Sequence, residues 1–576
     1  MDDVRASRQT GRSTPSQSPP DDPRRPVHHR IGLWCLLLSL LLGGLALRLF
    51  SIQIVRGAEL AARAVAQRTE ELPLELSRGN IYDRHLRALH APYRSWRLVA
   101  FTPYVEDPAA LARYLADELA VSVDAEQLLA KLRGARGFVT LAEDLPEAIV
   151  ERVAGRRVPG LAVVPYEERY GPGAVAPHIV GYINRADNRG VAGLEAAFDE
   201  ELTGSRGQTL VAMVDARGRP LSDYRLRQPG SERAGNELVT TLDWSLQKAV
   251  QSILARARRP AAAVVVDAQS GDVLALASHP PFDQQRIADY LQGAPDDPLV
   301  NRAVKAYPPG SVFKAVVAAA ALEAGVLDPD ERVDCTGAIR VGRRSYPSRC
   351  PPEAAAGPID WKLALAASSN EVFIRLGLEL GADRLLHAAR LYGFGRPTGL
   401  PLPEEAAGFL PESGSVRYDG DLANLAIGQG RLTVTPLQIA QFLTAVVNGG
   451  ELQELRLVRE VRRPDGVLVE AFPTPPRLRV FSTETAGVLR QALRLSVLEG
   501  TGRLADVPVY GAGGKTGTAE TGLTVGGREQ AHAWFAGFVP ATLPQYVIVV
   551  FVENGLSGPE VAAPRFREIA KALLGS

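Results

Sequence analysis

Residues 308–322 read Pro308-Pro309-Gly310-Ser311-Val312-Phe313-Lys314-Ala315-Val316-Val317-Ala318-Ala319-Ala320-Ala321-Leu322. Two prolines and a glycine break the chain, and an almost wholly apolar run follows, the pattern of a turn that feeds a buried helix. It predicts a helix over 315–325 with Ser311 at its N-terminus. A spacing of three places Ser311 and Lys314 on one helical face, so the amine can approach the hydroxyl. Burial among alanine and valine depresses a lysine pKa, because the charged form loses hydration. A neutral Lys314 can accept the serine proton, which is what a weak nucleophile requires. Four residues are a short signal, and a solvated helix turn has the same spacing.

Two clusters further along add weight. Ser368-Ser369-Asn370 follows Ser311 by 57 residues and lies between two helix-like runs, 361–367 and 371–376. A serine there can relay a proton and an asparagine amide can hold a peptide group, although plain helix capping uses the same residues. Lys515-Thr516-Gly517-Thr518 lies in a strand-like segment with Gly511, Gly513 and Gly514. Glycine on a strand lets a substrate backbone approach, and the lysine and hydroxyls can bind a carboxylate. A phosphate loop is the rival reading, but its spacing needs glycine where Val509 stands.

These motifs sit in the last of several predicted segments. At 576 residues the chain exceeds one ordinary core. Residues 1–30, rich in proline, serine, aspartate and arginine, are expected to form a disordered tail. Residues 31–47 are uncharged and mostly apolar, and after Arg48 the apolar character resumes to Val55, which fits a tilted membrane span over 31–55. A cleaved signal peptide and a buried soluble helix are the competing readings. The run is long for the first, and no tidy small-residue cleavage site follows at once. Arginines flank the span on both sides, so the charge rule does not orient it.

Residues 56–235 mix helical stretches with short strands such as Leu161 to Val164 and carry no obvious catalytic cluster. A polar stretch ahead of a strand at Leu238 to Asp243 places the main boundary near 236. Ala261 to Val266 and Val273 to Ala277 flank a turn and predict a hairpin. Three more strands are expected around Tyr510 to Ala519, Ala531 to Val539 and Gln545 to Glu553. The chain between is largely helical, including Ala315 to Gly325, Trp361 to Ala367 and Thr435 to Val447. Sheet residues at both ends of a domain with helices between them predict an α+β fold. No solenoid repeat is present.

Basic and acidic residues balance at 65 each, so net charge gives no support for nucleic-acid binding. Only seven of the basic residues are lysines, against 58 arginines. Lys314 and Lys515 are therefore notable, because a desolvated lysine can lose its proton and an arginine cannot.

In chain order the three motifs resemble those of the β-lactamase and penicillin-binding protein superfamily. The chain further resembles class B penicillin-binding proteins at Arg78-Gly79-Asn80-Ile81-Tyr82-Asp83-Arg84, at Gly190-Val191-Ala192-Gly193-Leu194-Glu195, and at Ile427-Gly428-Gln429-Gly430 with Thr435-Pro436. The resemblance implies a single transmembrane helix at 31–55 and an elongated, non-catalytic α/β pedestal (a dimerisation-like domain) at 56–235. It implies a serine transpeptidase domain, β-lactamase-like, at 236–576 with a central antiparallel sheet flanked by helices. The acidic motif of the class A glycosyltransferase domain is not found in 56–235. Carried over residue by residue, Ser311 would form an acyl-enzyme and Lys314 would be its base. Ser368 and Asn370 would line the cleft, Lys515, Thr516 and Thr518 would bind a terminal carboxylate, and Gly517 would be a further substrate-binding residue. The backbone amides of Ser311 and Thr518 would form the oxyanion hole.

The implied activity is cross-linking of peptidoglycan stem peptides with release of D-alanine, trapped by β-lactams; a D-Ala-D-Ala carboxypeptidase or β-lactamase-type hydrolase shares all three motifs. The implied setting is the bacterial cytoplasmic membrane, with the catalytic domain outside and a SEDS-type polytopic glycosyltransferase as partner. Cys335 and Cys350 are expected to form a disulfide if the domain faces an oxidising compartment, with two reduced structural thiols as the alternative. Some relatives place a metal nearby, but Ala356-Gly357 stands where they carry a His-Gly pair. No histidine lies between His279 and His387, so neither metal nor cofactor is expected.

Overall fold

The computed structural model describes residues 25–73, 78–118, 124–156, 158–185, 187–204, 209–215, 225–227 and 235–575. The chain divides into two compact units, one of residues 1–71 with 211–225 and one of residues 72–210 with 226–576. In the first, α1 (Arg25–Phe50) runs into a wider helical turn over Ser51–Val55. Ile31–Val55 is the one helix among the described residues long and apolar enough to cross a membrane. Residues 31–50 are all exposed. The helix starts six residues earlier than the proline-rich composition suggests. Pro26 lies in its first turn, where a missing N–H removes no intrahelical bond. The rest of the expected tail, 1–24, and the stretch 228–234 of the expected linker lie outside the described residues.

The second unit opens with β1 (Ile81–Tyr82). It continues with β2 (Tyr93–Phe101), β3 (Phe138–Ala142) and β4 (Leu161–Glu168), an antiparallel sheet in the order β3-β2-β4. Leu98, Leu115, Leu128 and Leu141 form a local core with the helices that cover it. Then β5 (Glu237–Thr240) runs parallel to β1. Asp83 ties this junction: Oδ1 accepts from the amides of His85 and Arg87, and Oδ2 accepts from the amide of Trp244.

Beyond it lies α2 (Trp244–Ala255), then β6 (Ala261–Asp267) and β7 (Val273–His279), the expected hairpin. Next come α3 (Lys314–Glu323), the hairpin strands β8 (Ala338–Val341) and β9 (Arg344–Pro347), α4 (Trp361–Ala367), α5 (Asn370–Leu380) and α6 (Pro436–Val447). After α7 (Thr483–Leu498), β12 (Gly513–Val525), β13 (Arg528–Val539) and β14 (Tyr546–Val552) complete the main sheet, and α8 (Ala563–Leu574) closes the fold. The small strands β10 (Val458–Arg462) and β11 (Leu468–Ala471) extend the β5-β1 pair.

The main sheet is antiparallel throughout, in the order β7-β6-β14-β13-β12. The run Ala261–Val266 forms a fully buried strand because both faces are covered. Period-2 alternation sends Ala262, Val264 and Val266 into one core with residues of α3 and α6. Ala261, Ala263 and Val265 enter the other, with Val250 and Leu254 of α2 and Phe566 and Ile569 of α8. Each buried valine of this strand contributes about 1.5–3 kcal/mol. The sheet therefore holds β12, its edge strand, as a fixed rail beside the start of α3.

Candidate active site

The first motif sits on a tight turn that leads directly into the predicted helix. Gly310–Phe313 forms a 3-10 turn, and α-helical geometry starts only at Lys314. In a 3-10 turn residues i and i+3 eclipse, which keeps Ser311 and Lys314 on one face of the turn. The turn is clamped from outside. Tyr307 and Val434 exchange two backbone hydrogen bonds of 2.8 Å, Trp534 Nε1 donates to Pro308 O at 3.1 Å, and Gly310 N donates to Gly428 O at 2.9 Å. A Cβ on Gly428 would lie 2.1 Å from Gly310 O, and its φ is +71°. Ile427-Gly428-Gln429-Gly430 is thus the buttress that lets another backbone seat the Ser311 turn.

Lys314 is fully buried. Its Nζ donates to Ser368 O at 2.7 Å and to Asn370 Oδ1 at 2.7 Å, with Ser368 Oγ at 3.4 Å. Burial, then the charges of Lys515 and Arg349, hold its pKa well below the ordinary lysine value. A neutral amine has two N–H donors and one lone pair; both donors are engaged, which leaves the lone pair as acceptor. Lys515 is also buried, and burial together with Arg349 lowers its pKa to about 7. Its Nζ contacts Thr516 O at 3.1 Å and Thr516 Oγ1 at 3.3 Å. Thr518, exposed on β12, accepts from Gly558 N at 3.3 Å. Gly517 backs onto the turn: a Cβ there would lie 3.0 Å from Pro309 O.

The second motif joins α4 to α5. Ser368 is left-handed, with φ +64°, and ends α4. Ser369 is the helix cap, its Oγ accepting from Val372 N at 3.3 Å. Ser368 and Asn370 are thereby left to meet Lys314. Several participants carried no signal in the sequence. Thr501 Oγ1 lies 2.5 Å from Thr516 Oγ1. Ser348 Oγ lies 2.8 Å from Ser369 Oγ and accepts from Glu371 N at 3.1 Å. Pro347 O accepts from Asn370 Nδ2 at 3.0 Å. None of these stands at a fixed offset from a motif, so only the fold reveals them.

Cys335 and Cys350 are joined as a disulfide. Together with Glu371 they form a cluster within 4.8 Å. Both sulfurs are spent in the bond, and Glu371 already accepts from Thr336 N, Thr336 Oγ1, Gly337 N and Arg375. The donor set does not fit a metal. Away from the site, Arg78 and Glu195, from two of the family-like stretches, meet in a buried ion network. Glu195 accepts from Arg78 Nε and Arg169 Nε at 2.5 Å each and from Tyr170 OH at 3.0 Å.

Residues 261–571 match the family described as Penicillin binding protein transpeptidase domain, and residues 73–240 match the Penicillin-binding Protein dimerisation domain. The chain belongs to the class B penicillin-binding proteins. Penicillin-binding protein PbpB of Mycobacterium tuberculosis is 32% identical over 95% of this chain and 84% of its own length. Peptidoglycan D,D-transpeptidase MrdA of Escherichia coli is 28% identical over 93% of each. A chain from a peptidoglycan synthase complex that coordinates polymerization and crosslinking superposes with TM-score 0.67 at 30% identity, covering 95% of this chain and 98% of that one. Penicillin binding protein 3 from Mycobacterium tuberculosis, solved with aztreonam, gives TM-score 0.63 at 28% identity over 88% and 97%. The penicillin-binding fold therefore carries the Ser311, Ser368 and Lys515 motifs in this chain.

Proposed function

We propose that this class B penicillin-binding protein cross-links peptidoglycan as a D,D-transpeptidase, with Ser311 as nucleophile and Lys314 as base. The observation that carries the assignment is the buried Lys314 amine, both of its donors held by Ser368 and Asn370. Its free lone pair takes the Ser311 proton as Oγ attacks the peptide carbonyl between the two D-alanines. The backbone amides of Ser311 and Thr518 stabilise the oxyanion. Collapse of the tetrahedral species breaks the C–N bond, the leaving amine takes the proton by way of Ser368, and D-alanine departs. An amine of a neighbouring stem peptide then captures the acyl group and frees Ser311. Lys515, Thr516 and Thr518 hold the donor's terminal carboxylate on β12, where Gly517 lets the strand pack against the Ser311 turn, while Asn370 holds the amide on the opposite wall.

The apolar helix over Ile31–Val55 serves as a single-pass anchor in the bacterial cytoplasmic membrane, with the catalytic domain outside it. A disulfide at Cys335 and Cys350 supports that side, since such bonds persist in oxidising compartments. A SEDS-type polytopic glycosyltransferase docking through the anchor and the segment over 56–235 is the partner this reading implies. The resemblance to a chain of a peptidoglycan synthase complex supports it. Labelling with a fluorescent penicillin tests the core of the proposal: the native chain is labelled, and Ser311→Ala is not. Equal labelling of the variant would refute Ser311 as nucleophile.

A further inference from the structure

The end of β9 and the residues that follow it are tied to the second motif and to a disulfide. Pro347 O receives the Asn370 amide, Ser348 Oγ meets Ser369 and Glu371 N, and Cys350 is bonded to Cys335. The neighbour of Cys335, Thr336, donates its amide to Glu371 at 2.7 Å. Arg349 stands in the middle of this lashing, yet its own guanidinium is exposed and forms no ion pair or hydrogen bond among the described residues. No acidic residue lies between Gly337 and Pro352 in the chain, and the nearby Glu371 carboxylate is taken up by Thr336, Gly337 and Arg375.

Arg349 is also within electrostatic reach of the reacting groups. Its charge is among the causes, after burial, that hold both Lys314 and Lys515 below the ordinary lysine range. Those lysines give up much of their charge, whereas a guanidinium cannot. Arg349 is thus a permanent cation beside the second motif, on a segment held by a covalent bond and three hydrogen bonds. A flexible surface arginine would not need such a mount.

We propose that Arg349 is a substrate-binding residue that takes a second carboxylate of the acyl donor, one upstream of the scissile bond. The inference rests on the transpeptidase reading above, in which β12 already holds the terminal carboxylate. Arg349 follows by two residues Pro347, whose carbonyl holds the Asn370 side chain, and in the transpeptidase reading Asn370 holds the donor's amide on the wall opposite β12. A planar guanidinium offers two parallel N–H donors to a carboxylate. Donors carrying a free carboxylate at that position are preferred over those in which it is absent or amidated.

Benzylpenicillin and carbenicillin differ by one carboxylate on the acylamido side chain, the part that mimics the upstream donor. The full chain in detergent is acylated by each in competition with a fluorescent penicillin, and the ratio of the two rate constants is compared among the native chain, Arg349→Gln and Arg349→Lys. A ratio ignores any change common to both drugs, including one transmitted through the lysines. Arg349→Gln is expected to lower the carbenicillin-to-benzylpenicillin ratio about tenfold, the size of one lost charge-assisted interaction, and Arg349→Lys to recover part of it. A ratio within about twofold of native in Arg349→Gln overturns the inference. Failure of both drugs to label Ser311 in the native chain would overturn the transpeptidase reading and this inference with it.

Discussion

Replacing Lys314 by methionine removes a proton acceptor while keeping an unbranched side chain of similar length. The structure lets the chemical and structural consequences be separated. Ser368 O and Asn370 Oδ1 each lose a donor at 2.7 Å, and two acceptors left unpaired in a buried site cost about 1–3 kcal/mol each. Against that, no amine has to be stripped of water, and methionine suits the apolar surroundings that already push the Lys314 pKa down. The fold should therefore survive, with a melting temperature lowered by a few degrees. Acylation should not survive intact, because a positioned base contributes about 10²–10⁴-fold, or roughly 3–5 kcal/mol of barrier. The assay is the second-order rate constant for a fluorescent penicillin, read beside a thermal melt of the same sample. Acylation within about tenfold of native in a folded Lys314→Met variant would show that another group takes the Ser311 proton.

The Lys515 pKa of about 7 makes carboxylate binding depend on pH. The ammonium is present below 7 and lost above it, so the dissociation constant of the non-covalent penicillin complex should rise between pH 6 and 9, by up to about tenfold per unit. Lys515→Arg should flatten that rise. Folding strips protons from both lysines, so the unfolded chain binds more protons between about pH 7 and 10.4 and this term makes stability increase with pH across that window. Glu195→Gln leaves Arg78 and Arg169 facing each other in a buried site and should cost about 3–5 kcal/mol in denaturant unfolding; a loss under about 1 kcal/mol would contradict the role drawn for the network. Burial pushes the Glu195 pKa up, but Arg169 and Arg78 outweigh it and hold the carboxyl below its usual value. Its stabilisation is thus present above about pH 4.3 and lost as pH falls through the folded value. Cys335→Ser should lower stability by about 3 kcal/mol, as expected for a closed loop of this length. In the native chain, alkylation should add two groups at Cys335 and Cys350 only after reduction.

Much of the site could be read from the residues because its chemistry depends on local sequence. A serine and a lysine three apart need only one helical turn, and Lys515-Thr516-Gly517-Thr518 needs only one strand. The hairpin at 261–279 and the last three strands were equally legible, since alternation and apolar runs mark buried strands wherever the turns are short. The 3-10 form of the turn that carries Ser311 was not. A proline-glycine break predicts where a helix begins but not whether its first turn is tight, and here the clamp from Gly428 and Trp534 decides. The same holds for α1: proline content argued against helix before Ile31, whereas a proline in the first turn is harmless. Ser348 and Thr501 are joined to the site only by tertiary contacts, for which one sequence carries no spacing rule.

The tripeptide Ser368-Ser369-Asn370 shows why a motif can be read correctly for an incomplete reason. Capping and catalysis compete for the same side chains, and the sequence admits both. The structure divides the labour within three residues. Ser369, fully buried, satisfies the α5 amide of Val372 and anchors the Ser348 hydroxyl. Ser368, forced left-handed at the end of α4, presents its carbonyl to Lys314, and Asn370 presents its side-chain oxygen to the same amine. Because the middle residue caps the helix, the outer two need not. Loss of the Ser369 hydroxyl would therefore disturb Lys314 through its neighbours although Ser369 makes no contact with the amine.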